Sequence, residues 1–131
     1  MRFTPNNISH LEDNEVFVFG SNEAGIHGAG AAKLALQWGA KMGQGVGLHG
    51  QTYAIPTKDH NIRTLDLVSI ADYVADFLDF ADLHPESTFL VTQIGCGLAG
   101  YTPEDIAPLF ETYPLNVVLP KNFVDIIRFC N

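Results

Sequence analysis

The stretch of sequence that decides the fold is Val16-Phe17-Val18-Phe19-Gly20-Ser21-Asn22, which is followed by Gly28-Ala29-Gly30-Ala31-Ala32. A second stretch of this kind is Val91-Thr92-Gln93-Ile94-Gly95-Cys96-Gly97-Leu98-Ala99-Gly100-Tyr101. Each begins as an apolar run typical of a buried strand and becomes glycine-rich before a helix starts. Such loops expose backbone N–H groups at the positive end of a helix dipole, where phosphates bind. The first glycine loop (residues 20–32) and the second glycine loop (residues 94–101) therefore predict a ligand that carries a diphosphate.

The rest of the chain alternates between strand and helix patterns. The predicted strands cover residues 16–19, 46–48, 53–56, 89–94 and 116–119. The predicted helices cover residues 29–38, 69–83 and 122–129, and a further helix follows Thr102 as its N-cap. This alternation predicts an α/β sheet with helices on both faces. In such sheets ligands bind at the carboxyl ends of the strands, where both glycine loops and Lys58 fall.

Composition limits the kinds of partner. The chain has 131 residues, which predicts a single domain over residues 1–131. Its formal net charge is −8 with only seven basic residues, which argues against an extended nucleic-acid groove. No apolar run is long enough for a membrane span, and the two cysteines, Cys96 and Cys130, do not make a disulfide framework. We therefore expect a cytoplasmic protein; the oligomeric state is left open.

Three motifs in the same order give the chain a resemblance to macrodomains, the ADP-ribose-binding fold. They are Asn22 with the first glycine loop, Thr57-Lys58 after the middle strand, and Ile94-Gly95-Cys96-Gly97-Leu98 in the second loop. The chain is most similar to the branch that contains the terminal ADP-ribose protein glycohydrolase and the antitoxins that remove ADP-ribose from DNA. The resemblance implies a three-layer αβα sandwich with a mixed central sheet, here shortened at the N-terminus.

The resemblance also implies a set of site residues. Lys58 is the implied catalytic residue, acting on the distal ribose either as a nucleophile or as a stabilising charge. Asn22 and Tyr101 are the implied contacts to that ribose. The implied ligand-binding residues are Asn22, Gly28, Ala29, Gly30, Ala31, Gly95, Cys96, Gly97, Leu98, Ala99, Gly100 and Tyr101. The implied ligand is ADP-ribose, free or attached to protein or nucleic acid.

Each of these residues also has an ordinary structural interpretation. Lys58 could be a surface lysine, Asn22 a turn residue and Tyr101 a core residue at the start of a helix. Cys96 has no evident base beside it, so we expect it to shape the loop rather than to react. His27 abuts the first glycine loop, and we expect a solvated loop histidine. No histidine spacing fits a metal site, and we expect neither a metal nor a cofactor.

The sequence leaves two main functions open. The first is hydrolysis of an ADP-ribosyl linkage, which Lys58 favours. The second is a non-catalytic module that binds ADP-ribose or a related nucleotide. It is favoured by Ala99, which stands where the protein glycohydrolase has an aspartate, and by the absence of the usual aspartate segment that binds adenine. A phosphatase acting on a nucleotide-sugar phosphate is a lesser alternative, because it would need a base or a metal.

Overall fold

A five-stranded mixed sheet runs through the described part of the chain. The computed structural model describes residues 1–129, so Cys130 lies outside the described residues. The strands are β1 (Glu15–Asn22), β2 (Gly47–His49), β3 (Thr52–Lys58), β4 (Thr88–Val91) and β5 (Val117–Val118). The α-helices within residues 1–129 are α1 (Gly30–Ala35), α2 (Leu67–Asp82), α3 (Pro103–Ile106) and α4 (Lys121–Phe129). Short 3₁₀ turns extend α1 over Leu36–Trp38 and α3 over Ala107–Phe110. The fold class is α/β, as the alternating pattern predicts.

The order of the strands places β1 in the middle of the sheet. Across the sheet the order is β2-β3-β1-β4-β5, and β1 pairs in parallel with both β3 and β4. β5 is parallel to β4, and β2 is antiparallel to β3 at the other edge. The strands that follow β1 in the chain, β2 and β3, lie on one side of β1. The strand that follows β4, which is β5, lies on the other side of the sheet. The strand order therefore reverses between β1 and β4, and a crevice forms there at the carboxyl ends of the strands.

Alternate residues of β1 face two different apolar cores. Val16 and Val18 belong to the core that also contains Ile70, Val74 and Phe77 of α2. Phe17 and Phe19 belong to the second core, which contains Ala35 of α1 and is flanked by Trp38. Because successive side chains of a strand point to opposite faces, a strand that is apolar throughout is covered on both sides. The resulting layers are compatible with a three-layer sandwich.

The predicted element boundaries differ from the observed ones mainly at the strand ends. β1 continues through Gly20-Ser21 to Asn22, because these residues keep pairing with β3 after the apolar run has ended. β4 stops at Val91, three residues before the predicted end at Ile94. The helix predicted over residues 29–38 has its regular part in α1 and then tightens into a 3₁₀ turn. Gly39 ends it in the left-handed region with φ 111°.

No helix within residues 1–129 combines the length and the apolar composition needed to cross a bilayer.

The core on the α2 side generates a stability prediction. Phe77 is fully buried, and its ring lies 5.0 Å from that of Tyr53 and 5.6 Å from that of Phe89. Phe77→Ala removes these contacts and leaves a cavity, so the free energy of unfolding should fall by about 3–5 kcal/mol. Denaturant titration measures it. Val68→Ala is the matched control, since Val68 is 73% exposed on the same helix and should change the value by less than about 0.5 kcal/mol.

Candidate functional site

A cleft of about 820 Å³ opens at the carboxyl ends of β1 and β4. This is the point at which the strand order reverses, and the volume is in the usual range for small-molecule sites. The cleft brings together most of the predicted site residues: Asn22, Gly28, Ala29, Gly30, Ala31, Lys58, Gly95, Gly97, Leu98 and Ala99. Three predicted site residues, Cys96, Gly100 and Tyr101, are not among the described residues that line it.

The first glycine loop presents unbonded backbone donors. Within the described chain, the N–H groups of residues 28–32 donate to no acceptor, and all five residues line the cleft. The N-cap of α1, Ala29, makes no side-chain hydrogen bond, and the first turn of α1 contains no acidic residue. The start of this helix is therefore neither capped nor neutralised by its own side chains. Unpaired N–H groups of this kind are the donors that an anion accepts.

The second glycine loop differs from the sequence-based expectation, because it does not present a helix start. α3 is capped by its own residues: Thr102 accepts from the Asp105 N–H, and the Asp105 carboxylate accepts from the Thr102 N–H. Glu104 and Asp105 also place negative charge in the first turn. This capping box satisfies the helix start and disfavours an anion there. The free donors of the second loop are instead the N–H groups of residues 97–99, which have no acceptor in residues 1–129.

Lys58 is the only ionisable side chain among the described residues that line the cleft. It is the last residue of β3, is half-buried, and forms no ion pair with any carboxylate of residues 1–129. Asp59 does not neutralise it, because the Asp59 carboxylate accepts from the N–H groups of Arg63 and Asn61. The Arg63 N–H, helped by that of Asn61, holds the pKa of Asp59 below its usual value. The cation therefore has no counter-charge within the cleft.

Asn22 makes the hydrogen bonds expected of a turn residue. Its amide donates to the Ile26 carbonyl at 2.8 Å and accepts from the Ile26 N–H at 2.9 Å. Asn22 is buried, and its side chain lines the cleft while it closes the turn over residues 22–26. The amide therefore fixes the first glycine loop, and only its remaining hydrogen and lone pair are available to a ligand.

A neighbouring segment, residues 39–47, is joined to the first glycine loop by hydrogen bonds. Ser21 donates its hydroxyl to the Gly45 carbonyl, and the Gly43 N–H donates to the Gly25 carbonyl at 2.8 Å. Gly45 lies so close to Asn22 that an added Cβ would overlap the Asn22 carbonyl oxygen. Close packing therefore requires glycine at residue 45, whereas Gly43 and Gly47 have open space around them and adopt a positive φ.

His27 contradicts the expectation of a solvated loop histidine. It is 2% exposed, packs edge-on against Phe19, and its Nε2 lies 3.0 Å from the Lys41 carbonyl and 3.1 Å from the Gln44 carbonyl. Two carbonyl acceptors require a proton on Nε2, so the neutral ring has an unprotonated Nδ1. Through these hydrogen bonds His27 connects the first glycine loop to residues 41–44.

Cys96 and Tyr101 stabilise the second glycine loop. Burial, with the nearby Asp105 and Glu104 charges, raises the pKa of the Cys96 thiol to about 11, so the thiol is protonated at neutral pH. This fits the expectation that Cys96 shapes the loop. The Tyr101 hydroxyl donates to the Leu65 carbonyl at 2.6 Å, and its ring packs against the core. The contact that was predicted from Tyr101 to a ribose stays a prediction.

The structure adds lining residues that sequence reasoning missed. The N-terminal segment over residues 4–9 forms one wall of the cleft, and Thr4 holds it there through bonds to Leu119 and Val118. Ile62, in the loop that follows β3, also lines the cleft. Thr64 donates to the Ala99 carbonyl at 2.9 Å and so joins the loop after β3 to the second glycine loop. These contacts join residues that are distant in sequence, so no local sequence pattern predicts them.

Comparisons of the chain with models of protein families, with curated proteins and with solved structures found no match.

Proposed function

We propose that the protein binds ADP-ribose or a related diphosphate nucleotide in the cleft and hydrolyses an ADP-ribosyl linkage. The observation that carries this proposal is the charge pattern of the cleft. The chain has 15 acidic and seven basic residues, yet the only ionisable lining residue among residues 1–129 is Lys58. A site free of carboxylates in an acidic protein favours an anionic ligand.

The unbonded N–H groups support a diphosphate in particular. They belong to two separate loops, residues 28–32 and residues 97–99, that line one cleft. Two phosphate groups carry enough acceptor oxygens to engage both loops at once. Backbone donors of this kind bind phosphate without basic side chains, which suits a chain that has few of them.

The topology supports a nucleotide that lies across the sheet. Lys58 ends β3 on one side of the two glycine loops, and Pro120 follows β5 on the other. We propose that a diphosphate over β1 and β4 has its sugar end toward Lys58 and its base end toward residues 4–9. This arrangement, with the motif resemblance, makes a macrodomain-like protein the family we propose.

Lys58 has two possible chemical roles. A neutral amine would attack the anomeric carbon as the bond from that carbon to the acceptor breaks, and the acceptor would leave with the electron pair and take up a proton. Water would then hydrolyse the lysine–sugar adduct, which releases ADP-ribose and restores the amine. A charged lysine would instead stabilise the negative charge that develops on the departing acceptor while water forms the new bond to the anomeric carbon. The Asp59 carboxylate accepts from the Asn61 and Arg63 N–H groups and makes no ion pair with Lys58, so it does not hold the amine in its charged form as a paired carboxylate would. The acceptor is a protein side chain, a nucleobase or a small molecule.

A non-catalytic binding module is the second candidate function. It is favoured because no described lining residue offers a second acid or base beside Lys58. Ala99 lines the cleft at the position where the resembling protein glycohydrolase has an aspartate. In this case Lys58 would contribute to ligand affinity alone.

Gly28 provides a test of anion binding that leaves the fold unchanged. It lines the cleft, and an added Cβ at this residue would meet no heavy atom within 4 Å. Gly28→Glu places a carboxylate beside the free N–H groups, so ADP-ribose binding measured by calorimetry should weaken by at least tenfold. The far-UV circular dichroism should stay that of the parent.

Gly28→Gln is the matched control, because it has nearly the same volume without the charge. It should bind ADP-ribose more tightly than Gly28→Glu. Equal binding by the parent and Gly28→Glu would contradict an anion site at the first glycine loop.

Lys58→Ala separates the two candidate functions. If Lys58 is catalytic, the rate of ADP-ribose release from modified protein or DNA should fall by at least a hundredfold, on the order of an acid–base or nucleophilic contribution. The dissociation constant of ADP-ribose should change by only a few fold. Lys58→Arg keeps the charge but cannot attack, so residual turnover in that variant favours a stabilising role.

Lys41→Ala is the control for loss of a basic residue. Lys41 is exposed and is not among the described residues that line the cleft, so both turnover and affinity should match the parent. If Lys58→Ala releases ADP-ribose at the rate of the parent, the proposed role of Lys58 in the reaction is wrong. A parent that binds ADP-ribose but releases none from any modified substrate is the outcome expected of a binding module.

A further inference from the structure

Ile62 has a backbone conformation that isoleucine strongly disfavours. Its φ is 62°, and no other non-glycine residue within the described chain has a positive φ. For a β-branched residue this left-handed conformation is a steric outlier, and such outliers persist only where the surrounding structure enforces them. They concentrate at ligand sites, so the position of Ile62 in the cleft suggests a functional reason.

The loop around Ile62 enforces this conformation. Asp59 accepts from the Asn61 N–H at 2.8 Å and from the Arg63 N–H at 3.0 Å, on either side of Ile62. The Ile62 N–H donates to the Asp59 carbonyl at 3.1 Å, and Thr64 fastens the loop to Ala99. The side chain is buried only in part, because Ile62 is still 41% exposed. Packing within the chain therefore leaves part of this strained side chain open to the cleft.

Two more exposed aliphatic residues line the cleft from the other two loops. Ile26, in the first glycine loop, is 51% exposed, and Leu98, in the second, is 78% exposed. Ile26, Ile62 and Leu98 together are termed the aliphatic rim. Exposed aliphatic side chains contributed by three separate loops to one cleft leave apolar surface that a ligand can cover.

We propose that Ile62 is a specificity-determining residue. Within the aliphatic rim it packs against the C–H face of the sugar that follows the diphosphate. This inference rests on the proposed function and deepens it, because it assigns the sugar end of the ligand to the rim.

The chemistry of the two ends of the cleft supports this assignment. The aliphatic rim offers apolar surface, and Lys58 offers one positive charge. Apolar surface suits a sugar ring, which has C–H groups on one face. The opposite wall contains Asn6 and Asn7, whose amides have no partner within the described chain and supply both donors and acceptors. Such amides match the hydrogen-bonding edge of a base. The sugar therefore belongs at the rim.

Ile62→Asn is the decisive variant. Asparagine tolerates the left-handed region, so relief of strain should raise Tm by a few degrees, and the loss of aliphatic contact should weaken the sugar-bearing ligand. By calorimetry, the Kd for ADP-ribose should rise roughly tenfold, as expected for a lost aliphatic contact, while the Kd for ADP should stay within about twofold. Ile62→Val keeps a branched aliphatic side chain and should retain the parental affinity for both ligands.

A matched pair of leucines tests the rest of the rim. Leu98→Ala should reduce ADP-ribose affinity selectively, whereas Leu115→Ala, at a fully exposed leucine outside the described lining of the cleft, should not. Unchanged ADP-ribose affinity in Ile62→Asn, or an equal loss for ADP, overturns the assignment of the rim and leaves the proposed function standing. A lower Tm in Ile62→Asn overturns the strain argument and the proposal with it. A parent that binds neither ligand overturns both proposals.

Discussion

The parallel pairing of β1 with β3 on one side and β4 on the other is the constraint on which the rest of the structure depends. It requires β1 to be buried on both faces, which the apolar residues 16–19 provide. It also brings the ends of β1, β3 and β4 to one edge of the sheet. The two glycine loops and Lys58 meet there because the backbone ladder places them together.

Hydrogen bonds from polar side chains to backbone atoms then fix the loops around the cleft. Asn22 closes the first glycine loop on Ile26, and His27 fastens the same loop to residues 41–44. Thr64 and Tyr101 join the loop after β3 to the second glycine loop. These side chains satisfy carbonyl groups that the irregular backbone leaves unpaired. The loop N–H groups that line the cleft remain free, so the same network that orders the loops preserves their donors.

The sequence predicts the local parts of this structure well. Residues 16–19 identify β1, and Thr102 and Asp105 identify the capped start of α3, because these signals lie within a few residues. The same capping box disfavours a phosphate at that helix start, although a glycine loop lies beside it. Burial of His27 and the conformation of Ile62 could not be predicted, since both depend on contacts between segments that only the folded chain brings together.

The separation of acidic residues from the cleft has a kinetic consequence. An anionic ligand approaches a molecule of formal charge −8 and meets favourable donors only after it enters the cleft. Salt screens repulsion between separated charges over about 10 Å but acts weakly on contacts inside a partly buried site. Moderate ionic strength should therefore speed ligand association while the dissociation rate changes little. The overall charge of the protein then acts as a barrier to encounter, most strongly for polyanions, and the cleft determines how long a ligand stays.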